Sequence, residues 1–173
     1  LHRDLQRVDE RVGAEAQSFA RLLERLRGKR EWGIKLWRRE SKARESIDSI
    51  SASLRQLGRE IEEAPPGKRF LLEKKRETMR TEELRAASKR IAHELFATLK
   101  RAADAAVSVP LPSVPAGERV LLLHAAFLVA DHSFQAFQKA LGEQAARLQN
   151  TGFEIEFTGP WPPYHFTTAD DDE

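Results

Sequence analysis

The chain has no cysteine, which excludes disulfides and thiolate metal sites and suits a reducing compartment. A long apolar run is missing too. Val120 to Ala130 is the longest, about half of the roughly 20 residues a membrane-spanning helix needs, and His124 interrupts it, so no membrane span is expected. There is no G-x-S-x-G, phosphate loop or dinucleotide fingerprint, and Gly13, Gly28 and Gly33 are too scattered to cradle a phosphate. The histidines, His2, His93, His124, His132 and His165, show no His-x-x-x-His spacing. These absences leave no catalytic residue, metal ligand or cofactor-binding residue to name. An enzyme would need a concave polar pocket gathering His124, His132 or His165 with a carboxylate. His124, flanked by leucines, reads more simply as a satisfied core histidine.

Charge of one sign is also scarce. The formal net charge is +2 over 173 residues, and because Asp170 to Glu173 carry four negatives the remainder sums to +6, only mildly basic. Residues 167–173 read as a flexible acidic tail. The chain begins at Leu1 inside an amphipathic pattern, without methionine or a signal-like segment, which predicts that an N-terminal piece is missing.

What is present is mostly periodicity. Leu5, Val8, Val12, Phe19, Leu22 and Leu26 recur at helical spacing up to Gly28, predicting a helix to about Arg27. In E-W-G-I-K-L-W-R the period becomes two, predicting a strand over about 31–38 with Trp32, Ile34 and Leu36 on one face and Glu31, Gly33, Lys35 and Trp37 on the other. Only one of Trp32 and Trp37 can then face the core. Ala43, Ile47, Ile50, Leu54, Leu57 and Ile61 step by four and three, the spacing of a coiled-coil seam. Pro65-Pro66-Gly67 breaks that helix. A second, from about Phe70 to Ala106, carries Leu72, Met79, Ala87, Ile91, Leu95 and Ala102, so the pair predicts an antiparallel helical hairpin over 40–106.

After the proline-stiffened connector Val109 to Pro115, the run Val120 to Ala130 is apolar on both parities, as in a strand covered on both faces. Asp131 or Ser133 can cap a following helix whose apolar side is Phe134, Phe137, Leu141, Ala145 and Leu148. Asn150-Thr-Gly152 ends it. Phe153, Ile155 and Phe157 then alternate with Glu154, Glu156 and Thr158 in a one-sided strand. The order predicts one α+β domain over 1–166, a ferredoxin-like antiparallel sheet with the hairpin inserted between its middle strands and its first strand missing.

Two regions invite a binding role. Between Arg38 and Asp104 basic residues outnumber acidic ones by five, with Lys68, Arg69, Lys74, Lys75 and Arg76 close together. A nucleic-acid-binding helical module is one reading. Glu60, Glu62, Glu63, Glu73, Glu77, Glu82 and Glu83 interrupt the stripe, which suits helix-surface ion pairs or a protein-docking surface better than a phosphate track. The other region is T-G-P-W-P-P-Y-H-F, Thr158 to Phe166, where three prolines stiffen the backbone. Trp161, Tyr164 and Phe166 can fold back over the sheet, or stand as rigid anchors for a partner, or divide those tasks.

The stretch F-E-I-E-F-T-G-P-W-P-P-Y-H-F resembles the C-terminal signature of the gas vesicle protein F/L family. E-W-G-I-K-L at 31–36, P-G-K-R-F-L-L-E-K-K at 66–75 and L-L-H-A-A-F-L-V at 122–129 resemble other segments of that family in the same order. The resemblance implies the family's C-terminal ferredoxin-like domain with its helical insertion. It also implies a non-enzymatic accessory or minor structural protein that needs no cofactor. Such a protein binds the hydrophobic shell protein A and other accessory proteins, and works at the gas vesicle or in the cytoplasm as a monomer or weak oligomer. The candidate partner-binding residues are Trp161, Pro162, Pro163 and Tyr164, then Arg69, Lys74 and Lys75.

Overall fold

A computed structural model of the chain describes residues 13, 16–111 and 118–167. Leu5, Val8 and Val12, most of the Val109 to Pro115 connector and the acidic tail beyond Thr167 lie outside the described residues.

The chain is helical over 16–26 (α1), turns at Gly28 and enters strand β1, Lys29–Arg39. Three helices follow: α2, Glu40–Ile50; α3, Ala52–Glu63; and α4, Pro66–Lys100. Then come β2, Ala105–Ser108; β3, Arg119–Ala130; α5, Phe134–Arg147; and β4, Phe153–Trp161. The sheet order is β2-β3-β1-β4 with every pairing antiparallel. This is the ferredoxin-like plan, with a β-α-β-β-α-β chain order in which α2–α4 form an enlarged first crossover.

The topology corrects the sequence reading at one point. The first-strand position at the centre of the sheet, expected to be empty, is filled by β1 itself. The strand that periodicity concealed is β2, which the reading absorbed into a helix running to Ala106. Four residues, Ala-Ala-Val-Ser, show no alternation, and alanine is the best helix former. Long-range bonds decide the matter. Asp104 donates its N–H to Leu128 O at 2.8 Å, and its carboxylate accepts from Ala130 N at 2.9 Å, so α4 stops at Lys100 and the chain is pinned along β3. The hairpin therefore lies between β1 and β2 rather than between the two middle strands.

The hairpin's first arm is also two helices rather than one. Ser51 is extended (φ −85°, ψ 123°), and its Oγ accepts from Leu54 N at 3.2 Å while donating to Glu83 Oε2 at 2.9 Å. Serine is a favoured helix N-cap because its hydroxyl satisfies an amide that the new helix leaves unpaired. The seam survives the break, with Ala43, Ile47, Leu54, Leu57 and Ile61 all buried. The second arm begins at Pro66, four residues before the expected start, since proline is tolerated in a first turn where its missing N–H is not needed. Neither Asp131 nor Ser133 caps α5 by side chain; a short 3-10 turn, Asp131–Ser133, leads into the helix and Asp131 pairs with Arg30 at 2.9 Å.

One sheet face carries the main core. Trp32, Ile34 and Leu36 from β1, Leu123, Ala125, Phe127 and Val129 from β3 and Phe153 from β4 pack under Ile47, Leu54, Leu95, Leu99, Phe137 and Leu141. Burying a side chain such as Phe127 or Phe137 completely is worth about 1.5–3 kcal/mol each. Trp32 is sandwiched between Phe134 (4.4 Å) and Phe157 (5.0 Å). At the end of β4 nearest α2, Gly152 has φ +83°, and a Cβ there would lie 2.4 Å from Ala43 N, so only glycine lets strand and helix meet.

Candidate functional site

The opposite sheet face is where the proline-aromatic segment lies. β3 places Ala126 and Leu128 on it, and β2 adds Ala105 and Val107. This apolar half is closed by Leu26 of α1 and by Phe166, which is only 9% exposed. Beyond it the same face becomes polar. Glu156 accepts from Trp37 Nε1 at 2.9 Å and from Lys35 Nζ at 3.3 Å. The Arg119 guanidinium lies 4.5 Å over the Trp37 ring, and Glu154 pairs with Arg39 at 2.5 Å. Trp37 is thus on the polar face and Trp32 is the core tryptophan, the division that the period-two pattern requires.

β4 continues into the motif as far as Trp161. Its pairing with β1 slips between Glu31 and Gly33, so that Trp161 comes opposite Glu31. Gly159 makes the slip possible: its φ is +120°, and a Cβ there would sit 2.9 Å from Glu31 O and 3.1 Å from Trp32 Cε3. That conformation strongly favours glycine. The Thr158 hydroxyl fills the space above Gly33, and Trp161 Nε1 donates to it at 3.3 Å. Pro162 and Pro163 then lead into a short 3-10 turn, Tyr164–Phe166.

The turn is fastened by a buried acid. Glu31, 3% exposed, accepts from the backbone N–H of His165 at 3.0 Å and from His165 Nδ1 at 2.6 Å. Arg25 of α1 donates to Phe166 O at 2.7 Å. A buried carboxylate is costly unless hydrogen-bonded, and here one residue of the turn supplies a donor to each oxygen. With His165 and Phe166 held down, the other aromatic groups point away: Trp161 is 53% and Tyr164 71% exposed. Trp161 and Tyr164 therefore do not close the core; Phe166 does.

The α3–α4 turn exposes Phe70 and Leu71 beside Lys68, Lys74 and Lys75. Lys74 Nζ lies 4.8 Å from the Phe70 ring centroid. Arg69 behaves differently from the lysines. Its guanidinium donates to Ile61 O (3.2 Å), Ala64 O (3.3 Å) and Glu62 O (3.4 Å) at the end of α3, Ile61 O also accepting the Ala64 N–H. The two candidate groups belong to separate places, with Trp161, Pro162, Pro163 and Tyr164 at the sheet and Arg69, Lys74 and Lys75 at the hairpin turn.

An enzyme reading needs His124, His132 or His165 with a carboxylate in a concave polar pocket, and of these His165 lies against the Glu31 carboxylate. His165 is committed to Glu31 and lines a groove of about 420 Å3 with Lys29, Asp104, Val107, Leu128 and Phe166. Neither His124 nor His132 lines it. His124 lies across from Lys35 on the polar face instead of in the core. Partial burial, Lys35 and His165 hold its pKa below the ordinary histidine value. Among the described residues no group of His, Asp and Glu could hold a metal ion, and no helix is long and apolar enough to cross a membrane.

Sequence reasoning missed Glu31, the residue that fastens the motif. Its sole local mark was an acid beside the core tryptophan, and its partner is 134 positions away.

A family model described as Gas vesicle synthesis protein GvpL/GvpF matches residues 1–168. The chain is 31% identical over 125 residues to gas vesicle protein L2 of Halobacterium salinarum, covering 69% of this chain and 44% of that one. To gas vesicle protein L of a Streptomyces species it is 27% identical over 153 residues, covering 86% of this chain and 52% of the relative. The chain spans about half the length of these relatives. The crystal structure of gas vesicle protein GvpF from Anabaena matches with a TM-score of 0.56 at 16% identity, over 89% of this chain and 56% of that one. GvpF from Microcystis aeruginosa matches at 0.57 and 14% identity, over 92% and 63%. At these identities the two structures establish a shared fold.

Proposed function

The chain belongs to the gas vesicle synthesis protein GvpL/GvpF family, and from that membership we propose that it is a gas vesicle accessory protein acting by binding rather than by catalysis. Its partners are other gas vesicle proteins, the hydrophobic shell protein A first among them. It works as a single module, monomeric or weakly associated, at the vesicle or in the cytoplasm around it.

One observation carries this reading. Glu31 and Phe166 spend the second half of the proline-aromatic motif on anchoring, and the first half is left exposed and stiff. Trp161, Pro162, Pro163 and Tyr164 are then preorganised for contact, since little side-chain or backbone freedom remains to be lost on binding. A shell subunit with an apolar surface aggregates unless something covers it, and a braced aromatic patch on a charged module is suited to that task. Lys74 and Lys75, with exposed Phe70 and Leu71, form a second contact surface whose geometry Arg69 maintains from within.

Co-expression with shell protein A tests the reading. Wild type is expected to capture it, and Trp161→Ala with Tyr164→Ala to weaken capture at least tenfold while the fold persists. Failure of the wild type to capture shell protein A removes that partner, and full capture by the double variant removes the motif as the contact.

A further inference from the structure

A different region carries an assignment that neither the family nor the aromatic motif supplies. Where β1 ends and α2 and α4 come together, a cavity of about 210 Å3 is lined by Arg38, Glu40, Arg44, Arg80, Thr81 and Arg85. A water occupies about 30 Å3 in the liquid, so the space admits several waters or one polyatomic ion.

The charges around the cavity do not balance. Arg38, whose side chain is only 12% exposed, is satisfied by Glu40 at 2.7 Å and by Ser88 Oγ at 2.8 Å. Asp48 is shared by Arg80, at 2.6 Å, and Arg76. Glu77 pairs with Arg80 at 3.0 Å. Arg44 reaches Glu40 and Glu77 only at 3.9 and 4.0 Å, the outer limit of an ion pair. Arg85 makes no ion pair or hydrogen bond among the described residues. Four guanidinium groups, Arg38, Arg44, Arg80 and Arg85, thus line the cavity with a single carboxylate, Glu40, while Asp48 and Glu77 lie outside the lining and are engaged by Arg76 and Arg80. The lining is therefore cationic, and within it Arg44 and Arg85 have donors to spare and Thr81 presents a hydroxyl.

We infer that this cavity is an oxyanion site for a phosphate group, with Arg44 and Arg85 as its principal ligands and Thr81 as a hydroxyl donor. Guanidinium groups favour this class because their planar fork matches two phosphate oxygens at once. Arg80 contributes charge but little of its donor capacity, being held by Asp48 and Glu77. The phosphate is either free or the terminal group of a nucleotide.

Isothermal titration of the chain with inorganic phosphate, against chloride at matched ionic strength, tests the assignment. Saturable binding of about one phosphate per chain is expected, at least tenfold weaker in Arg85→Ala and in Arg44→Ala. Arg85 makes no hydrogen bond or ion pair among the described residues and is exposed, so its variant should fold as wild type, which far-UV dichroism checks. A second arm uses a nucleoside triphosphate: tighter binding than inorganic phosphate supports a nucleotide source, and equal binding supports free phosphate. No saturable heat from either probe, or undiminished binding by Arg85→Ala, overturns the site.

Discussion

Glu31 and His165 are 134 positions apart, yet the carboxylate of one receives both the backbone N–H and the ring Nδ1 of the other. That pair converts a proline-rich segment into a fixed part of the sheet's second face. Because Glu31 is buried, the bond is shielded from competing water, which makes it stronger than a surface ion pair.

Glu31→Ala should therefore lower stability by about 2 kcal/mol, since hydrogen bonds to charged groups contribute roughly 1.5–3 kcal/mol. Amide hydrogen exchange should rise in 164–166 ahead of the rest of the chain. An unchanged melting curve together with unchanged exchange in that segment would contradict the fastening role.

Phe166 and Trp161 should separate cleanly. Phe166→Ala removes a buried ring from the cluster with Leu26, Ala126 and Leu128 and should cost about 3 kcal/mol. Trp161→Ala removes an exposed ring whose one hydrogen bond is to Thr158, and should stay within about 0.5 kcal/mol of wild type. Denaturant melts of both variants check this. A large loss from Trp161→Ala would mean that the indole supports the fold and is not reserved for a partner.

Arg69 should behave as a structural residue and its neighbours as surface. Arg69→Ala removes the side-chain donor to Glu62 O and Ala64 O at the end of α3 and should cost about 1 kcal/mol, whereas Lys74→Ala and Lys75→Ala should be neutral within about 0.5 kcal/mol. Thermal melts of the three single variants decide it, equal behaviour of all three being the contrary result.

Asp48 gives the chain a defined acid sensitivity. Its hydrogen bond from Arg80, opposed by partial burial and joined by Arg76, holds its pKa below the ordinary carboxyl value. The native carboxyl takes up its proton less readily than the unfolded one. The stabilisation is therefore complete above about pH 5 and fades as pH falls through the native value. Asp48→Asn should be less stable than wild type at pH 7, with the gap closing toward pH 3. A gap independent of pH would show that the pair contributes nothing through charge.

Much of the architecture was legible because it rests on local repetition. The seam from Ala43 to Ile61, the alternation that divides Trp32 from Trp37 and the doubly buried run of β3 are all written in spacing, and spacing survives whatever packs against it. The break at Ser51 and the four-residue strand β2 were not legible. Each depends on a partner distant in sequence: Glu83 for Ser51, and Leu128 and Ala130 for the chain around Asp104.

The same division holds for the candidate site. By itself the sequence determined that Thr158 to Phe166 is stiff, aromatic and marked by a family signature, because prolines restrict the backbone wherever they occur. Only the tertiary structure decided which aromatic ring is spent on the fold. The register slip at Gly159, the buried acid at Glu31 and the apolar floor of Ala126 and Leu128 jointly select Phe166. Trp161 and Tyr164 are left to the surface, since burial is settled by where a strand finally lies and not by the residues within it.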